Sequence, residues 1–102
     1  MLIAALALLQ LVHMKEVKID ISPLSDDATS WVQELPVVNF RYNSEPDMRR
    51  TGVIAEDVAV VHPEAVNFDA EKRPDSIVTE EVLYALVKEV QKLRREVDAL
   101  KI

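Results

Sequence analysis

Residues 49–66 read Arg49-Arg50-Thr51-Gly52-Val53-Ile54-Ala55-Glu56-Asp57-Val58-Ala59-Val60-Val61-His62-Pro63-Glu64-Ala65-Val66. Gly52 is the only glycine in the chain. A lone glycine points to a backbone requirement that no other residue meets, either positive φ or close approach of another segment. It follows loop chemistry, Asn43-Ser44-Glu45-Pro46-Asp47, and precedes an apolar step. Thr51–Ile54 therefore reads as a returning strand. Its partner is Val37–Tyr42, with Val38, Phe40 and Tyr42 on one face and Asn39 and Arg41 on the other. Glu56-Asp57 opens a short helix, Glu56–Val61, which Pro63 closes.

Upstream, Val17, Ile19 and Ile21 alternate with Lys18, Asp20 and Ser22, a strand signal over Lys15–Ile21 that Pro23 ends. Ser25 is placed to cap a helix, with Asp26 and Asp27 in its first turn. Ala28, Trp31, Val32 and Leu35 recur at helical spacing, and Pro36 stops the run. Met1–Val12 is apolar except for Gln10. It lacks the basic flank and small-residue cleavage site of a secretory signal. It is also shorter than the ~20 residues of a membrane span. The expectation for residues 1–14 is an apolar leader, or the remnant of an upstream stalk, buried against partner chains.

Downstream, Phe68–Asp75 reads as a polar connection. The strongest periodicity comes last: Leu83, Leu86, Val90, Leu93, Val97 and Leu100 are spaced three and four apart. This is a heptad seam, with Leu83, Val90 and Val97 at a and leucine at every d. Glu89 with Arg94, and Glu96 with Lys101, stand at the g-to-e offset used between parallel helices in register. Thr79 is the expected N-cap, and the helix dipole accounts for Glu80-Glu81 behind it. The competing reading is an amphipathic helix packed on its own domain. The residues at a and d do not fix the number of strands.

At 102 residues the chain is one domain, too small to bury a large core without help. It has no cysteine, which excludes disulfides and thiolate zinc sites. His13 and His62 are too few for a metal centre. The net charge of −6, with Arg49-Arg50 and Arg94-Arg95 isolated, argues against nucleic acid. No hydrolase triad, phosphate loop or metal box is visible, so no cofactor and no small-molecule substrate are expected. Oligomerisation is left as the stabilising device.

Taken together these stations resemble the intramolecular chaperone auto-processing domain. That domain closes bacteriophage endosialidases, tailspikes and tail fibres, and is related to the processing domain of myelin regulatory factor. The stations are Lys18-x-x-Ile21-x-Pro23-Leu24, then Leu35-Pro36-Val37-x-x-Phe40-x-Tyr42. Next come Gly52-Val53-Ile54-Ala55-Glu56 with Pro63-Glu64 beyond it, and the heptad helix. The resemblance covers Lys15 to Ile102. It implies a homotrimer whose long helices grip the stalk of a parent fibre and align three chains for folding. It also implies a self-cleavage, in which a serine attacks the preceding peptide bond with a lysine five residues on as base.

Lys18 fits that lysine position. Five residues before it stand His13-Met14, where the family carries Ser-Asp. A serine hydroxyl, activated by a base, forms the ester intermediate of such a cut, and imidazole cannot. Ser22 and Ser25 lie downstream and read as turn and cap. Two lesser departures are Glu56, where many members have glutamine, and Thr79, where tyrosine is frequent.

The expected fold is α+β: a small β-hairpin with short helices over residues 15–78, then a long C-terminal helix at 79–102 in a parallel, trimeric coiled coil. The expected function is trimerisation and assembly of a phage fibre, without self-cleavage. Alternatives are an active serine–lysine peptidase domain whose N-terminus is mis-set, and a generic coiled-coil adaptor.

Overall fold

The computed structural model describes residues 14 to 101. His13 and the apolar leader lie outside the described residues. The fold is α+β, with two small antiparallel hairpins, short helices and one long C-terminal helix. After a 3₁₀ turn at Lys15–Val17 comes a 3₁₀ helix, Asp26–Glu34. The first hairpin is β1 (Val38–Phe40) with β2 (Arg50–Gly52). Helix α1 (Ala55–Val61) and a 3₁₀ turn (Pro63–Ala65) lead into the second, β3 (Val66–Phe68) with β4 (Pro74–Ile77). Helix α2 (Thr79–Leu100) completes the chain.

The first hairpin explains the lone glycine. Val38 faces Gly52 and Phe40 faces Arg50 across the ladder. The Phe40 ring leans along the strand so that a β-carbon on residue 52 would meet its Cε1 at 3.1 Å. Gly52 does not have positive φ. Close approach of an aromatic ring, not a left-handed backbone, is what requires glycine here. Tyr42 meets the same ring edge-on, with centroids 5.1 Å apart.

The second hairpin is absent from the sequence reading, which placed a polar connection over Phe68–Asp75. Its turn is organised by Asp69. The Asp69 Oδ1 accepts the backbone N–H groups of Glu71 and Arg73, both at 2.9 Å, and Oδ2 accepts from Arg73 Nε at 3.0 Å. Those three bonds replace the apolar alternation that usually announces a strand pair. Pro74 begins β4, where a missing N–H costs no ladder bond.

Lys15–Ile21 is not a strand. Its start is a 3₁₀ turn, and Asp20 adopts φ of 55°, which breaks the extended run. Both sheets are two-stranded, and neither pairs with this segment. An isolated strand has no ladder to satisfy its backbone groups, and Ile19 stays 86% exposed.

The caps differ from expectation too. Ser25 occupies the cap position without a side-chain bond, and Val78, not Thr79, caps α2. The Val78 N–H donates to the Ala65 carbonyl at 2.8 Å, which ties the start of α2 to the turn before β3.

The core is small. Val58, Ala65 and Val66 are buried, with Trp31, Leu35, Val53, Ile77 and Val82 packed around them. The 3₁₀ helix, α1, β4 and α2 each contribute, so the motif Val53–Val66 is the hub on which the helices converge.

Candidate functional site

Two faces of α2 have opposite characters. One face, carrying Ala85 and Glu89, is buried against the 3₁₀ helix. Glu89 is 6% exposed, and both of its carboxylate oxygens accept hydrogen bonds. Its Oε1 accepts from Thr29 Oγ1 and Lys92 Nζ, both at 2.7 Å, and its Oε2 accepts from Gln33 Nε2 at 3.0 Å. Lys92 Nζ also donates to the Asp26 carbonyl at 2.8 Å. Donation by Lys92, then Gln33, then Thr29 holds the Glu89 carboxyl down at about 2, against its ordinary 4.5. Asp26 is likewise held below the usual carboxylate range, chiefly by the Arg95 guanidinium, which reaches its two oxygens at 2.8 and 2.9 Å. The polar clamp fixes α2 on the body through six residues: Thr29, Gln33 and Asp26 of the 3₁₀ helix, and Glu89, Lys92 and Arg95 of α2.

Within the single chain Glu89 does not pair with Arg94. Its carboxylate turns into its own chain, and Arg94 Nε bonds to Asp98, one turn away, at 3.2 Å. The clamp was hidden in the sequence because Glu89 is an unremarkable charge on a helix, and its partners lie some sixty residues upstream. The only hint was Thr29 and Gln33 standing in a segment otherwise read for its apolar face.

The other face is the seam. Leu83, Leu86, Val90, Leu93, Val97 and Leu100 are between 44% and 80% exposed. The heptad stripe therefore does not pack on its own body. Monomeric soluble proteins rarely expose a contiguous apolar stripe of this length.

The motif residues sit at the hub. Gly52 lies under the Phe40 ring, Val53 packs on the core, and Ile54 caps α1 with its carbonyl accepting from Val58 N–H at 3.0 Å. Ala55 starts α1, while Glu56, Pro63 and Glu64 are exposed. Between them His62 stacks on Trp31, with ring centroids 4.1 Å apart and planes 8° from parallel. Its Nδ1 lies 3.2 Å from Glu64 and its Nε2 3.9 Å from Glu81. His62 thus joins the 3₁₀ helix, the end of α1 and the first turn of α2.

Lys18 is exposed and closes the 3₁₀ turn, its N–H donating to the Lys15 carbonyl at 3.1 Å. Ser22 and Ser25 are exposed as well. A lysine that serves as general base at neutral pH is made less basic by burial or neighbouring cations. Among the described residues none encloses Lys18.

These features define a small α+β body that holds one long helix by a polar clamp and presents its apolar stripe outward. The family model described as chaperone of endosialidase matches residues 15–67, and the chain belongs to that family. The match takes in the whole motif hub and ends before α2. Among curated proteins no match was found.

Proposed function

We propose that this protein is a trimerising assembly chaperone for the stalk of a fibre protein, and that it does not cut itself. The observation that carries the reading is the outward heptad seam on a helix that is already clamped to the body along a neighbouring face. Burying half-exposed leucine and valine side chains between chains recovers ~25 cal/mol for each Å² of apolar surface removed from water. A body with so small a core gains much of its stability from such an interface. Three helices gathered in register would bring three stalk chains to the same starting point, which lowers the entropic cost of pairing them.

Two features support the absence of cleavage. The residue five before Lys18 is His13, and Lys18 is exposed among the described residues. Lys18 then serves as a surface residue of an inherited site.

The test is a fusion of this chain behind a β-rich phage stalk. With the chain intact the stalk should fold as a soluble, protease-resistant trimer that keeps the domain attached. Replacing Leu86 and Leu93 by Asp should yield aggregated stalk. An equally soluble stalk from the substituted fusion would refute the reading.

A further inference from the structure

Extending the heptad lettering off the seam identifies the flanking positions. With Leu83 at a and Leu86 at d, the g positions are Val82, Glu89 and Glu96, and the e positions are Val87, Arg94 and Lys101. In a parallel coil in register each g residue faces the e residue five further on in the next helix. The three pairs match in kind: Val82 with Val87, Glu89 with Arg94, and Glu96 with Lys101.

The body of the chain covers only the g side. Val82 packs on the core cluster, and Glu89 lies under Thr29 and Gln33. The e side is bare. Val87 is 44% exposed, and Arg94 meets only Asp98 of its own helix among the described residues. At ~100° per residue, Arg94 stands ~180° around the helix from Ala85, the small residue on which the body packs. The chain's own body therefore cannot reach Val87 and Arg94, whereas a neighbour's body stands on the side they face.

We infer that in the assembled coil the body of one copy, at the groove between its 3₁₀ helix and α2, packs over Val87 and Arg94 of the next copy. The inference rests on the parallel coil proposed above. Val87 continues the apolar edge of the neighbour's core at Val82. Arg94 brings a guanidinium to the neighbour's Gln33 amide oxygen and to the Glu89 oxygen that accepts only from Gln33. An acidic g side then meets a basic e side, and the interface has two layers, helix on helix and body on helix. An exposed valine at e, of little use to a lone helix, is accounted for by this second layer.

The chain has no cysteine, so engineered pairs report without background. Gln33→Cys with Arg94→Cys tests the second layer. Within one chain the helix, ~10 Å across, separates these two positions, and a disulfide needs α-carbons within ~7 Å. Glu96→Cys with Lys101→Cys tests the coil alone, beyond the clamp. After mild oxidation both pairs should give covalent multimers on denaturing gels. Closure of the 96–101 pair with the 33–94 pair remaining monomeric overturns the inference and leaves the coil standing. Closure of neither refutes the coil and the inference with it. A second variant, Val87→Lys, should weaken self-association by ~10-fold or more with thermal unfolding of the diluted single chain unchanged. Unchanged association would overturn the inference.

Discussion

The Thr29 hydroxyl donates to the Glu89 carboxylate at 2.7 Å, joining a residue of the short 3₁₀ helix to one at the middle of the long helix. Thr29 is 1% exposed, so this bond is made away from water. It sets which face of α2 turns inward, and by that which face turns out. The seam is left exposed because the clamp holds a neighbouring face of the helix against the body.

Replacing the Thr29 hydroxyl by a methyl keeps its shape and removes one donor from the buried carboxylate. Thr29→Val should lower stability by about 1–2 kcal/mol, measured by urea unfolding with the slope unchanged. A neutral result would mean that the clamp closes on Lys92 and Gln33 alone.

Acid should loosen the same joint. The Glu89 carboxyl is lowered in the folded chain to about 2, from its ordinary 4.5. The unfolded chain therefore takes up the proton first, and the stabilisation is present above pH 4.5. It is lost as pH falls through the window from about 4.5 to about 2. Asp26 and Asp69 are shifted the same way and add to the same slope. Thermal melts of the protein and of Glu89→Gln from pH 6 to pH 2 should converge at the acid end.

Gly52 is constrained by the Phe40 ring at 3.1 Å from any added β-carbon. Gly52→Val forces the ring off its position and should cost about 1–3 kcal/mol. Phe40→Leu in the same chain should recover part of that loss, because it shortens the group in the way. Additive losses would show that the ring is not the cause.

The two faces of α2 should respond differently. Leu93→Asp changes an exposed seam residue and should abolish association with little effect on the diluted single chain. Ala85→Glu places a charge in the buried contact with the body and should unfold the domain itself. Circular dichroism at low concentration beside sedimentation separates the two.

Intact mass should stay at the full-length value through days of incubation. A stable fragment beginning near His13, accumulating without added protease, would contradict the loss of cleavage.

The elements that could be read from sequence are those written in local chemistry. The first hairpin follows from Val38, Phe40 and the polar loop, and α1 from the acidic pair and Pro63. The long helix follows from its heptads. What escaped depends on partners far away or on side-chain substitutes for pattern. Asp69 builds a hairpin turn from three hydrogen bonds with almost no apolar alternation around it. Lys15–Ile21 has the alternation and lacks the neighbouring strand. Glu89 carries the same charge as Glu96, and only tertiary contact with Thr29 and Gln33 makes one a clamp and leaves the other on the surface. The seam was legible as a stripe, and its outward direction was not, because direction is set by the clamp.

The most direct test is the molar mass of the whole chain by light scattering across a concentration series. The expected trimer has three times the 11.5 kDa chain mass, and Leu93→Asp should abolish that species. A monomer at every concentration, or a species of twice the chain mass, would contradict the trimer.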